Sequence, residues 1–287
     1  MKKMLFLCIG LTMMAASAFA AKVDTLEIRS QSMDRVLKAA VAVPDSYAKS
    51  KANYPVMYLL HGAYGHFRDW LKNTPDLNTV KDLADEYNMI IVMPEGETFS
   101  FYIDSPTLKT SQFETFITKE VIAKIDATYR TVATKNGRVI TGLSMGGHGA
   151  LYLSAKHPEL YCGAGSMSGA LDMGKIRKVE QPDEVNKLFV AVYGPTPPSD
   201  AELQSHAVIG MIDQIKANKM PLIIDIGVDD FLIESNRAFH SLMVYEKIPH
   251  EYTERPGSHT WQYWQDAVPF HALFFARIFK QNGSAVK

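Results

Sequence analysis

The stretch Arg138-Val-Ile-Thr-Gly142-Leu-Ser144-Met-Gly146-Gly-His-Gly-Ala-Leu-Tyr152 decides the fold. An apolar, β-branched run (Val139, Ile140, Thr141) ends in Gly142-Leu143-Ser144-Met145-Gly146, and a helical pattern starts at once. This is the strand–turn–helix context of a nucleophile elbow, in which the residue at the apex is held in a strained conformation. Glycine is needed two residues before and two after the apex, because side chains there would strike neighbouring backbone. Ser144 would stand above the carboxyl edge of a sheet, with a helix N-terminus behind it to favour developing negative charge. A pattern of this kind also arises by chance in about one chain in ten of this length. Its partners must therefore be sought along the rest of the chain.

Working outward from the elbow, short apolar runs alternate with helical patterns. Residues 22–43 alternate in polarity and read as two antiparallel strands. Tyr54–Leu60 and Met89–Met93 are continuous apolar runs, as expected of strands buried on both faces. Between them lie a glycine-rich turn, His61-Gly62-Ala63-Tyr64-Gly65, and a helical pattern through Val80, Leu83, Ala84 and Tyr87. Residues 97–110 read as loop, and Ser111 to Arg130 as a helix with Ser111 and Glu114 as its capping box. Beyond the elbow, strands are expected at 161–166, 222–227 and 249–254, and helices near 205–217, 233–247 and 261–279. The alternation argues an α/β fold with a mainly parallel, twisted sheet and helices on both faces. Residues 170–205 break the rhythm with Pro182 and Gly194-Pro-Thr-Pro-Pro198. They are too long for a plain connection and read as an insertion over the site, a partial lid.

The first twenty residues read as an export signal. Lys2-Lys3 precedes an apolar run from Met4 to Ala16, and Ala18 and Ala20 give an A-x-A cleavage pattern. The run falls short of the roughly 20 residues a spanning helix needs. The expected mature chain, residues 21–287, is one α/β domain, periplasmic or secreted. Cleavage removes two of 30 basic residues, leaving 28 against 31 acidic, so nothing in the charge balance favours nucleic acid or an anionic membrane. It also leaves Cys162 alone, so no internal disulfide can form. No H-E-x-x-H, paired cysteines or close His/Asp set is present, and neither metal nor cofactor is expected.

A serine hydroxyl is a poor nucleophile until a base takes its proton, and the base needs a carboxylate to fix its tautomer. On elbow-bearing α/β folds the acid and then the histidine follow the serine in the chain. Strand 222–227 ends in Val228-Asp229-Asp230-Phe231, and strand 249–254 runs into Arg255-Pro256-Gly257-Ser258-His259. His259 follows the last strand, whereas His240, His250 and His271 fall within elements and His61, His66 and His148 come too early. Spacing alone leaves Asp229 and Asp230 open. Oxyanion donors are expected from the Met145 N–H, next to the serine, and from the His61–Gly65 turn, with Ala63 the candidate. Trp70, Tyr102 and Trp261 lie beside these loops and are candidates to contact substrate. Gly165-Ser166-Met167-Ser168-Gly169 also puts serines after a strand, but neither has glycines two residues away on both sides and no helical pattern follows promptly, so it is expected to wall the pocket.

Tyr58-Leu-Leu-His-Gly62, Trp70, Tyr102-Ile-Asp-Ser-Pro106, Gly142-Leu-Ser-Met-Gly-Gly147, Gly227-Val-Asp-Asp-Phe-Leu232 and Gly257-Ser-His-Thr-Trp261 together resemble the esterase D / carbohydrate esterase family 1 group. That group holds feruloyl, acetylxylan and tributyrin esterases, S-formylglutathione hydrolases and mycolyltransferases, and the resemblance spans nearly the whole mature chain. It implies an α/β-hydrolase fold with Ser144 as nucleophile and His259 as base. The acid that precedes Phe-Leu in the family matches Asp230, and the donor after His-Gly matches Ala63. Where the family has tryptophan before Tyr-Ile-Asp-Ser-Pro, this chain has Phe101. The implied activity is an exported serine esterase acting on a small-molecule or polysaccharide-linked ester, acetyl or feruloyl. Siderophore ester hydrolysis, and acyl transfer to a sugar or lipid hydroxyl by the same triad, are the alternatives.

Overall fold

The computed structural model describes residues 21–175, 189–190, 192–196 and 198–286. Eight strands form one sheet in the order β1-β2-β4-β3-β5-β6-β7-β8. They are β1 (Lys22–Ser30), β2 (Arg35–Val43), β3 (Val56–Leu60), β4 (Ile90–Pro94), β5 (Arg138–Gly142), β6 (Ala164–Met167), β7 (Leu222–Gly227) and β8 (Glu251–Arg255). β1–β2 and β2–β4 pair antiparallel, and every pairing from β4 through β3 to β8 is parallel. This is the α/β-hydrolase architecture, and the central strands show why. All five residues of β3 are buried, with Val56, Tyr58 and Leu60 in one apolar layer and Met57 and Leu59 in the other. A period of two with no polar face forces helices onto both sides.

One layer is closed by the elbow helix, Met145–Lys156, and the rod that begins at Phe113. The other is closed by the helix Thr79–Glu86 and the closing helix Trp261–Gln281. Parallel strands direct all their carboxyl ends to one rim, where the loops after β3, β5, β7 and β8 meet.

Two expected helix starts are corrected. The rod begins at Phe113, its N-cap is Gln112 without a side-chain bond, and a π-helical stretch, Phe116–Val121, separates its α-helical parts. Glu114 does not complete a capping box, because its carboxylate is drawn inward to Lys156 at 2.7 Å and His157 at 2.8 Å. A buried tertiary pair wins over a local cap. The working capping box is Ser199 with Glu202, which opens the helix Asp200–His206. A 3-10 turn, Val208–Met211, and the helix Ile212–Asn218 follow in place of one helix at 205–217. The strand expected at 161–166 lies at Ala164–Met167 and pairs with β5 at Ile140 and Ala164.

The signal segment 1–20 and much of the expected lid, 176–188, lie outside the described residues. Part of the described remainder of 170–205 packs inward. Phe189, Val192 and Tyr193 are buried, and the Thr107 hydroxyl donates to the Tyr193 carbonyl at 2.9 Å. The Phe189 ring stacks 6.3 Å from that of Phe101.

Candidate active site

Ser144 occupies the elbow with φ 54° and ψ −118°, a strained combination for any L-residue. The flanking glycines make the turn possible. A Cβ on Gly146 would stand 2.6 Å from the His61 carbonyl oxygen, and one on Gly142 2.7 Å from the Gly146 backbone. The Ser144 N–H donates to the Met167 carbonyl at 2.9 Å, which ties the apex to the end of β6.

The carboxyl ends of β7 and β8 supply the neighbours. His259 Nε2 lies 2.9 Å from Ser144 Oγ, and His259 Nδ1 lies 2.8 Å from Asp230 Oδ2. A carboxylate only accepts, so the ring proton sits on Nδ1 and Nε2 is free to accept the serine hydroxyl proton. Asp230 Oδ1 also accepts the Leu232 N–H at 2.9 Å. The Asp230 carboxylate is fully buried, whereas the His259 ring keeps 20% exposure. Burial alone pushes the Asp230 pKa up, but the hydrogen bond and charge of His259 and the Leu232 N–H outweigh it and hold the carboxyl below its ordinary range. Asp229 takes the opposite course: exposed, it spends its N–H on the Gly257 carbonyl at 2.9 Å. The acid and base loops touch there, since a Cβ on Gly227 would fall 2.3 Å from the Gly257 oxygen. Edge-on Trp264 at 4.8 Å and tilted Phe231 at 4.6 Å fix the imidazole plane.

Beside Ser144 opens a cavity of about 410 Å³ that Ala63, Met145 and His259 also line. Met145 is the first residue of the elbow helix, where N–H groups lack an intrahelical acceptor. The turn carrying Ala63 is locked by His61, which is 2% exposed. The Gly96 N–H donates to His61 Nε2 at 2.8 Å, so the proton is on Nδ1, which donates to the Gly62 carbonyl at 2.8 Å. The Tyr102 hydroxyl holds the His61 carbonyl at 3.0 Å. The arrangement can deprotonate a hydroxyl at one point and hold negative charge beside it.

The family model described as "Putative esterase" matches residues 30–274. The chain belongs to this esterase family. It is 29% identical over 225 residues to an acetyl esterase of Caldicellulosiruptor saccharolyticus, covering 75% of this chain and 81% of that one. It is 34% identical over 159 residues to the diacylglycerol acyltransferase/mycolyltransferase Ag85A of Mycobacterium tuberculosis, over 52% of this chain and less than half, 44%, of the relative. A solved ferulic acid esterase superposes with a TM-score of 0.75 at 27% identity, covering 91% of this chain and 99% of that one. The Staphylococcus aureus serine hydrolase FphF shares the fold, with a TM-score of 0.77 at 18% identity over 89% and 98% of the two chains. The protein is thus a carboxylic ester hydrolase with an α/β-hydrolase fold.

Of the esterase's expected substrate contacts, Trp261 lines the cavity and the other two do not. Trp70 is 1% exposed, and its indole N–H is committed to the Leu60 carbonyl at 3.1 Å, the end of β3. Tyr102 is wholly buried beneath the His61 turn, against Gly96 and Gly149. Both brace the His61 turn from behind, and Phe101 supplies the cavity wall in that loop. Ser166 and Ser168 do not wall the pocket either; both are fully buried, and Ala170 is the first residue of that segment to reach it. Cys162 is buried, which pushes its thiol up to about 11 and leaves it inert. Among the described residues no cluster of three His, Cys, Asp or Glu side chains could hold a metal, and no helix is long and apolar enough to cross a membrane.

Sequence reasoning passed over His61, Phe231, Tyr64, Asp69 and Asn73. His61 was set aside as too early for the base, and its use is to hold a turn. Its signal was adjacency to the oxyanion candidate. Tyr64, Asp69 and Asn73 line the cavity from a turn and a four-residue helix, Asp69–Lys72, too short to show periodicity.

Proposed function

We propose that the esterase hydrolyses its substrate through an acyl-Ser144 intermediate. The observation that carries this reading is the unbroken line from Ser144 Oγ through His259 to Asp230, at 2.9 and 2.8 Å. Ser144 Oγ attacks the ester carbonyl carbon while His259 Nε2 takes the hydroxyl proton. Asp230 orients the ring and stabilises the imidazolium. The carbonyl π pair moves onto oxygen, and the N–H groups of Met145 and Ala63 receive the resulting oxyanion. Collapse breaks the bond to the alcohol oxygen, which leaves with the proton from His259. Water then repeats the cycle on the acyl-serine, His259 first accepting and then returning a proton, and releases the acid.

The substrate class proposed is an acetyl or feruloyl ester of plant polysaccharide. The acetyl esterase and ferulic acid esterase likenesses support it. So does the open rim, where Tyr64 and Phe231 stand 67% and 55% exposed beside the cavity, placed to receive a ring. Export by cleavage near Ala20 is part of the same reading. Ala21 is buried, and its backbone N donates to Asp85 Oδ2 at 2.8 Å, so a new α-ammonium at that position would meet a carboxylate. Acyl transfer to a sugar or lipid hydroxyl is the second reading, favoured by the 34% identity to Ag85A.

The test is a screen of p-nitrophenyl acetate, methyl ferulate, acetylated xylan and a siderophore ester against wild type and Ser144→Ala. Turnover of none of these esters overturns the substrate reading, and turnover retained in Ser144→Ala overturns the site. Product analysis with a competing sugar alcohol separates hydrolysis from transfer.

A further inference from the structure

Two polar side chains in the cavity take no part in the relay. Asp69 opens the short helix Asp69–Lys72 and Asn73 caps it, so one turn stacks them on the same face. Both line the cavity with Tyr64 and Trp261, and among the described residues no lysine or arginine lines it with them. Trp70 stands edge-on to Trp261 at 5.4 Å, which joins this helix to the start of the closing helix. Carboxylate, carboxamide and indole therefore share one side of the cavity.

Local structure uses little of this polarity. Asp69 Oδ2 accepts the His66 N–H at 3.1 Å, while Oδ1 makes no hydrogen bond among the described residues. The Asn73 carboxamide makes none among them either; only its backbone N–H is used, on the Asp69 carbonyl at 2.9 Å. Leu143, Phe101 and Ala170 make other parts of the lining apolar. A carboxylate in such a place loses water when substrate enters and must be given a donor in return. Among the described residues no cationic side chain lines the cavity, so the substrate is the source of that donor in this reading. A carboxylate accepts, a carboxamide both donates and accepts, and together they match hydroxyl groups on a ring.

We infer that Asp69 and Asn73 form a hydroxyl-reading subsite. It selects esters whose ring, seated against Trp261, carries neutral hydroxyls, and it disfavours anionic ones through the Asp69 charge. The inference rests on the proposed ester hydrolysis at Ser144 and concerns which esters that site accepts. The hydroxyl has two possible sources, a phenolic acyl group or the sugar that is the alcohol half.

Two matched pairs of substrates distinguish them. Methyl ferulate is compared with methyl 3,4-dimethoxycinnamate, and a mono-acetylated methyl xyloside with cyclohexyl acetate. kcat and KM are measured for wild type, Asp69→Ala and Asn73→Ala. The ratio of kcat/KM for the hydroxylated ester to its partner should fall about tenfold or more in Asp69→Ala, mainly through KM. A fall in the first pair assigns the acyl ring, a fall in the second the sugar, and either supports the subsite. Ratios within about twofold of wild type in both pairs and both variants overturn it. Because the Asn73 side chain holds no hydrogen bond, Asn73→Ala keeps the test decisive if Asp69→Ala fails to fold. Ser144→Ala reports separately on the underlying chemistry: turnover there sinks the nucleophile, whatever the ratios show.

Discussion

Two serine turns lie side by side at the carboxyl rim of the sheet, built on the same backbone device. Ser144 follows β5 with φ 54°, and Ser168 follows β6 with φ 50°. Each N–H donates to a carbonyl in the next strand, Ser144 to Met167 at 2.9 Å and Ser168 to Asp225 at 2.7 Å. The left-handed twist is therefore shared. After Ser144 a twelve-residue helix starts at Met145, a histidine ring stands 2.9 Å from the hydroxyl, and the cavity opens. After Ser168 the chain runs on without helix through Asp172, and the side chain is fully buried. Strain at a strand end is thus not what sets the proposed nucleophile apart. A helix N-terminus, a base within reach and an open face are.

The sharpest way to break this comparison is to delete each hydroxyl. Ser144→Ala should lower kcat on the order of 10⁴–10⁶-fold and abolish labelling by a fluorophosphonate, read by intact mass. Ser168→Ala should still label stoichiometrically. Label found on Ser168, or persisting in Ser144→Ala, would dissolve the distinction. The two neighbouring acids give a second contrast. Asp230→Asn turns the donor side of an amide toward the imidazole and should cost about 10⁴-fold in kcat. Asp229→Asn, on an exposed side chain, should stay within about threefold. Equal losses in the two variants would return the acid to an open choice.

How legible this was depended on which physics set each position. The elbow and His259 could be read because they fall where apolar runs stop, and parallel strands carry all such ends to one rim. Asp229 and Asp230 share one such end, and in the sequence only the family resemblance favours Asp230. Trp70 and Tyr102 were misjudged because a motif places a ring near a site without saying which way it points. Both point into the core, where a carbonyl takes the Trp70 N–H and another the Tyr102 hydroxyl. Ser111 and Glu114 had capping-box spacing, yet Lys156 and His157, over forty residues away, claimed the carboxylate. Asp69 and Asn73 sit on one turn of helix, which carries no period to read.

That long-range pair anchors the far end of the elbow helix, and pH should expose it. Burial pushes the Glu114 carboxyl up, but hydrogen bonds and charge from His157 and Lys156 overcome this and bring it down to about 2. A carboxylate depressed in the folded state stabilises fully above its unfolded pKa, about 4.3, and that contribution is lost as pH falls through the folded value. Glu114→Gln should therefore cost up to about 3 kcal/mol near neutrality and progressively less toward pH 2. Urea titrations across pH 2–7 check the convergence. A gap constant with pH would mean that Glu114 acts through packing alone.

The smallest expected effect separates the two turns at their glycines. A Cβ on Gly146 would meet the His61 and Leu60 carbonyl oxygens at 2.6 and 2.7 Å, backbone atoms at the end of β3 that cannot rotate away. A Cβ on Gly169 would meet the Ser166 hydroxyl at 2.1 Å and Leu171 side-chain carbons from 2.7 Å, atoms that can swing aside. Gly146→Ala should thus cost about 1–3 kcal/mol, the usual penalty of overpacking, while Gly169→Ala costs less. The displaced backbone leads directly into the turn that carries Ala63. Gly146→Ala should accordingly lower kcat with KM nearly unchanged, because an oxyanion donor acts on the transition state and little on bound substrate. Gly169→Ala should lose stability without that loss in kcat. Thermal melts paired with kcat and KM on p-nitrophenyl acetate measure both axes. If the two glycines lose kcat and stability in the same proportion, the oxyanion turn is not rigidly set by the elbow, and Ala63 and Ser144 move independently.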